Sequence, residues 1–249
     1  MTIFATTLHT HDGVALAAAV RSTPDPIGAV VLAHGFSGGK DQPEVVALAD
    51  ALTADGYAVV TYDARGHGRS GGECTLGDAE RFDVASAVQL AAETADRVAV
   101  VGASMGGISV LRYAVDDPAL AAVVTVSTPA VWRVPRTARG AFSVVLTQTR
   151  SGRWVARRKL SVRMGRPQPR GDAPVALAAR LLRPLAVIHG GADRFVPAGQ
   201  AQLLFAAAGA ASQLTLVPGM GHAYRPGVRV PLLGALEWGF AEPRELVPV

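Results

Sequence analysis

Residues 97–107 read Arg97-Val98-Ala99-Val100-Val101-Gly102-Ala103-Ser104-Met105-Gly106-Gly107. A run of small and β-branched apolar residues ends at Gly102, and a helical pattern follows Ser104 to about Val115. The five residues Gly102–Gly106 fit G-x-S-x-G, a serine held on a sharp turn from strand into helix. The reason for the glycines is steric. Such a turn forces the serine backbone into a strained conformation and leaves almost no room for side chains two residues to either side. The N-terminus of the helix that follows offers free N–H groups and the positive end of a dipole to a developing oxyanion.

Working outward, short apolar strands alternate with amphipathic helices, the pattern of a mainly parallel sheet covered on both faces. Towards the N-terminus, residues 3–9 and 14–21 flank His11-Asp12-Gly13 and read as a hairpin. Ala29–Ala33 reads as a buried strand, residues 43–54 as a helix, and Tyr57–Tyr62 as a strand. The glycine-rich loop Asp63–Gly72 and a helix from about Asp78 to Thr94 follow. Towards the C-terminus, Ala122–Val126 is the next strand. After residue 183 come the strand Leu185–His189, a helix near 198–208, the strand Gln213–Val217, and a last helix from about Pro231 to Phe240, with Pro231 at its first position.

Two further motifs follow buried strands. His189-Gly190-Gly191-Ala192-Asp193 places Asp193 in the loop after one strand, and Gly219-Met220-Gly221-His222 places His222 after the last. Loops at the C-terminal ends of parallel strands share one edge, where ligands bind. Ser104, Asp193 and His222 are therefore expected together. A serine hydroxyl is a weak nucleophile unless a base removes its proton. A histidine titrating near neutral pH serves, and a carboxylate can hold its tautomer and stabilise its cation. The order Ser, Asp, His is that of one known fold.

From about residue 27 to 240 the chain resembles the α/β-hydrolases. His34-Gly35-Phe36-Ser37-Gly38-Gly39-Lys40, the Asp63–Gly68 loop and Gly102–Gly107 are most similar to small esterases of the cinnamoyl/feruloyl-esterase and monoglyceride-lipase type. The resemblance implies an α/β-hydrolase fold: a mainly parallel sheet with helices on both faces and an inserted lid. It also implies a serine esterase with Ser104 as nucleophile, His222 as base and Asp193 as orienting acid. The backbone N–H groups of Phe36 and Met105 would form the oxyanion hole. A thioesterase or acyltransferase with the same triad is the nearest rival, and a non-catalytic ligand-binding protein on this fold is the rival from another class. A dehalogenase of this fold would need a carboxylate where Ser104 stands.

Residues 128–183 break the alternation. No Asp or Glu occurs between Asp117 and Asp172, whereas Arg133–Arg170 holds eleven Arg or Lys residues. The remainder has 13 basic and 20 acidic residues, so the formal net charge of +4 hides a basic insert in an acidic chain. Trp132, Phe142 and Trp154 lie among these arginines. Arg150–Arg153 reads as a turn, and the alternation of Leu160, Val162 and Met164 as a short strand. In the resembled family an insert after the sixth strand caps the active site. The basic charge suits a solvated surface, a lid over an anionic substrate, or an acidic membrane or carrier surface. No nucleic-acid module accompanies it.

Other features bound the reading. The 249 residues are 49% hydrophobic and 18% charged, a globular composition consistent with one domain. With Cys74 the only cysteine, no intrachain disulfide forms, and Cys74 reads as an ordinary loop thiol. The N-terminus lacks a basic segment followed by a long apolar stretch, and apolar runs such as Ala119–Val126 fall far short of the ~20 residues of a membrane span. A soluble cytoplasmic protein is expected, with no cofactor and no metal. His34, His67 and His189 read as structural, His9 and His11 as surface residues, and Asp63 as a turn carboxylate.

Overall fold

The computed structural model describes residues 1–117, 119–131, 145, 147–166, 171–209 and 211–241. Trp132, Phe142 and the other residues of the basic insert outside those ranges are not described.

An eight-stranded sheet runs in the order β1-β2-β4-β3-β5-β6-β7-β8. Its strands are β1 (Thr2–His9), β2 (Ala15–Ser22), β3 (Ala29–Ala33), β4 (Ala58–Tyr62), β5 (Val98–Ala103), β6 (Ala122–Val126), β7 (Leu185–Gly190) and β8 (Ser212–Val217). β1 and β2 form the antiparallel hairpin, and β2 joins β4 antiparallel. From β4 through β3, β5, β6 and β7 to β8 every pairing is parallel.

The strand sequences explain why both faces are covered. In β3, Val30 and Leu32 point to one core and Ala29, Val31 and Ala33 to the other. β5 divides Ala99, Val101 and Ala103 from Val98 and Val100 in the same way. A strand that is apolar on both sides must be buried on both sides. One face is covered by α1 (Pro43–Ala54), through Val45, Leu48 and Leu52, and by α7 (Arg229–Ala241), through Leu232 and Leu236. The other is covered by α2 (Glu80–Ala92), α3 (Met105–Ala114), α5 (Pro174–Ala178) and α6 (Gly199–Ala207), through Val84, Leu111, Leu177 and Leu204. Among the described residues no helix is long and apolar enough to cross a membrane.

Two local expectations are corrected. Arg150–Arg153 is not a turn; it opens α4 (Arg150–Lys159). Thr149 Oγ1 accepts the N–H of Gly152 at 2.9 Å, a side-chain cap that starts the helix, and Gly152 and Ala156 pack one turn apart on its buried face. Leu160–Met164 is not a strand either. Leu160 N–H still donates to Ala156, Ser161 turns the chain at φ 55°, and Met164 makes a single isolated bridge with Cys74. The alternating apolar residues reflect one inward side chain, Val162, beside an exposed Leu160. At the C-terminus, α7 begins at Arg229, so Pro231 is its third residue, not its first. Its missing N–H costs nothing there, since the first four N–H groups of a helix lack intrahelical acceptors.

The glycines of the elbow are set by backbone contacts. A Cβ on Gly106 would lie 2.4 Å from the Ala33 carbonyl oxygen and 2.6 Å from that of His34, and one on Gly102 would lie 2.3 Å from the Gly106 oxygen. No rotamer change relieves a clash with backbone. Gly106→Ala is therefore expected to lower unfolding stability by about 3 kcal/mol, read from urea denaturation. Gly234, inside α7, has nothing within 4 Å of its hypothetical Cβ. Gly234→Ala is expected to raise stability by about 0.5–1 kcal/mol in the same assay. Equal effects at the two positions would contradict the steric account.

Candidate active site

Ser104 joins β5 to α3 with φ 53° and ψ −111°. A non-glycine residue at positive φ is held there against its own preference and needs the surroundings to over-determine it. They do: Ser104 N–H donates to Val126 O on the neighbouring strand at 2.9 Å, and its carbonyl accepts the N–H groups of Gly107 and Ile108. The N–H of Met105, in the first position of α3, has no acceptor among the described residues.

The loop after β3 runs alongside. A Cβ on Gly35 would lie 3.3 Å from Ser104 Cβ, so Gly35 is what allows this close approach. It carries Phe36 past the serine, and the Phe36 N–H likewise has no acceptor among the described residues. His34 holds this loop. Its Nε2 accepts the Ala64 N–H at 2.9 Å and its Nδ1 lies 2.8 Å from Gly35 O, so the proton sits on Nδ1. Burial, helped by the nearby His67, pushes the His34 pKa down to about 4 and keeps the ring neutral. His67 stands edge-on to both His34 and Phe36, with ring centroids at 5.0 and 6.1 Å. Asp63 ties the loops together, accepting the N–H of Lys40 at 2.8 Å and of Arg69 at 3.0 Å.

Asp193 and His222 meet because the loops after β7 and β8 are stitched to each other. Gly191 N–H donates to Val217 O and Ala192 N–H to Met220 O. A Cβ on Gly190 would lie 2.3 Å from the carbonyl oxygens of both Met220 and Gly221. Asp193 Oδ2 is 2.8 Å from His222 Nδ1, and its Oδ1 accepts the N–H groups of Phe195 and Val196 at 2.8 and 2.9 Å. The carboxylate is wholly buried, whereas the imidazole remains partly open to solvent. Burial alone would raise the Asp193 pKa, but the hydrogen bonds from His222, Val196 and Phe195 outweigh it and hold the carboxyl below its usual range. An ionised Asp193 can only accept. His222 therefore donates from Nδ1 and keeps its lone pair on Nε2, the atom a base would use. His189 helps to hold the loop, with its Nε2 2.9 Å from Val196 O.

Several residues that shape the site carry no sequence signal. Tyr224, two positions after His222, is buried, and its hydroxyl reaches Ala33 O at 2.9 Å and Val101 O at 3.2 Å. It thereby moors the His222 loop to the strands that hold Phe36 and Ser104. Cys74 is buried with Sγ 3.6 Å from Met105 Sδ, and burial pushes its thiol well above the usual pKa. It therefore packs behind Met105 as a thiol and not as a thiolate.

Arg65 is the third such residue. Its Nε and backbone N–H both reach the Asp83 carboxylate at 2.8 Å, and Nη1 and Nη2 grip Asp12 at 2.7 and 3.0 Å. The Asp83 side chain is fully buried. Removing the cation leaves a buried carboxylate without its partner. Arg65→Met is expected to cost about 3–5 kcal/mol of unfolding stability. Arg65→Met/Asp83→Leu, which removes both charges, should recover much of that loss in the same urea titration. A single variant as stable as wild type would show that the pair is dispensable.

Residues 24–171 match the family described as serine aminopeptidase, S33. A monoacylglycerol lipase of Mycolicibacterium smegmatis is 31% identical over 237 residues, covering 80% of this chain and 82% of the lipase. An esterase of Pyrococcus furiosus superposes with a TM-score of 0.70 at 20% identity, covering 96% of this chain and 89% of that one. Est1E of Butyrivibrio proteoclasticus, solved with ferulic acid bound, gives 0.66 at 18% identity over 94% and 96% of the two chains. At these identities the solved structures speak for the fold. Together with the parallel sheet and its covered faces, they establish an α/β-hydrolase fold, and the match over residues 24–171 makes the chain a member of the serine aminopeptidase S33 family.

Proposed function

We propose that the protein hydrolyses carboxylic esters through an acyl-serine intermediate on Ser104. The observation that carries this reading is the 2.8 Å contact between Asp193 Oδ2 and His222 Nδ1 at the sheet edge where Ser104 stands on its strained turn. The unpaired N–H groups of Phe36 and Met105 beside that turn supply the remaining part.

In this mechanism His222 Nε2 takes the Ser104 proton as Oγ attacks the ester carbonyl. The negative oxygen of the tetrahedral intermediate accepts hydrogen bonds from the Phe36 and Met105 N–H groups. Collapse breaks the bond to the alcohol, which leaves with the proton from His222. Water then gives a proton to His222 and attacks the acyl group, releasing the acid and restoring Ser104. Asp193 stabilises the imidazolium in both halves. The monoacylglycerol lipase relative supports an ester over a thioester substrate, and water over another acceptor. The insert 128–183 serves as the lid and shapes the acyl pocket.

The test is hydrolysis of p-nitrophenyl esters from acetyl to palmitoyl, with a fluorophosphonate as an active-site trap. Turnover of at least one ester and stoichiometric labelling of Ser104 are expected. A folded protein that neither turns over an ester nor reacts with the phosphonate would instead be a ligand-binding protein on this fold.

A further inference from the structure

Helix α4 carries Arg150, Arg153, Arg157, Arg158 and Lys159 within ten residues and no acidic residue. Arg157, Arg158 and Lys159 lie in the last turn, where the dipole favours cations, but the rest of the charge runs against local helix electrostatics. Arg150 and Arg153 sit in the first turn, where the dipole disfavours cations, and Arg153 and Arg157 are like charges at i,i+4 on one face. Trp154 lies beside them, 63% exposed. A bound anion would offset this arrangement.

There is a place for one. A cavity of about 250 Å³ lies between α4 and the chain at 73 and 163–164, lined by Glu73, Arg153, Trp154, Arg157, Arg163 and Met164. Three arginines and one carboxylate residue line it. Arg180, Arg225 and Arg229 each pair with a carboxylate, but among the described residues Arg153 and Arg157 do not. Arg163 is fixed, with donors directed at the carbonyls of Ser70 and Gly72 and its backbone N–H on Gly66 O. A relay of contacts links the cavity to the nucleophile turn. Met164, in its wall, bridges Cys74, and Cys74 Sγ touches the side chain of Met105, the residue after Ser104. Guanidinium forks match carboxylate and phosphate oxygens, and the indole and thioether present apolar surface to a hydrocarbon body.

We propose that this cavity receives the carboxylate or phosphate end of the ester substrate, so that the enzyme selects anionic, amphiphilic esters. This inference rests on the esterase reading of Ser104. The test compares p-nitrophenyl butyrate with the mono-p-nitrophenyl ester of adipic acid. In Arg153→Gln/Arg157→Gln the ratio of kcat/KM for the anionic over the neutral ester should fall about tenfold to a hundredfold. In wild type that ratio should fall as salt is added. Arg180→Gln/Arg229→Gln removes the same charge elsewhere and should leave the ratio unchanged. An unchanged ratio in the Arg153/Arg157 variant overturns the proposal.

Calorimetric titration of Ser104→Ala with adipate monoamide separates this failure from that of the esterase reading. Binding that disappears with Arg153 and Arg157 supports the cavity even if no ester is turned over, and no binding sinks it. Phosphatidylglycerol vesicles distinguish a lipid surface. Arginine-dependent vesicle binding with an unchanged ester ratio would assign α4 to a membrane and overturn the substrate assignment.

Discussion

Ser104→Ala is expected to lower kcat on the best p-nitrophenyl ester by roughly 10⁴–10⁶-fold while leaving the fold intact, since removing the nucleophile of a triad has an effect of that order. Alanine has the smaller side chain, and the turn is held by backbone contacts: the Ser104 N–H on Val126 O and its carbonyl on Gly107 and Ile108. The urea midpoint should therefore stay close to wild type. KM should change little, because the lost interaction exists only as the bond to the carbonyl forms. Residual turnover would come from the Phe36 and Met105 N–H groups acting on water attack. Activity within tenfold of wild type would mean that another group is the nucleophile.

Asp193→Asn has the second-largest expected effect, a loss in kcat of about 10⁴-fold with substrate binding retained. The two N–H groups of Phe195 and Val196 still need an acceptor, and the asparagine carbonyl oxygen supplies it. The amide nitrogen then faces His222 Nδ1 and donates. The imidazole proton must move to Nε2, and the base is lost without displacing the ring. In wild type, the carboxyl pKa is depressed below its usual range. Asp193 therefore stays ionised down to the acid end of any practical assay, and an acid limb in kcat/KM above pH 4 would not belong to it. A variant that kept its rate would show that the 2.8 Å contact orients nothing needed for turnover.

The local elements were largely legible in the chain. Apolar runs such as Ala29–Ala33 and Ala122–Val126 could only be buried strands, and α1 appears at the residues its periodicity marked. Legibility failed in the basic insert. There a threonine cap at Thr149 and two small buried residues outweighed an apparent turn and an apparent alternation. A cap and a small-residue stripe are weak signals in a segment whose apolar residues are few.

The sequence by itself determined the alternating α/β plan and the positions of Ser104, Asp193 and His222 in loops after buried strands. Strand burial, glycine placement and loop position are local properties, each decided by residues adjacent in the chain. Only the tertiary structure decided that Asp193 Oδ2 meets His222 Nδ1, that Tyr224 reaches the carbonyl of Ala33, and that Arg65 clasps Asp83 and Asp12. It alone also formed a cavity between α4 and residues 73 and 163–164. These are contacts between segments far apart in sequence, and no periodicity records them. They exist because a twisted parallel sheet gathers the ends of its strands at one edge, where burial favours the pairing of polar groups.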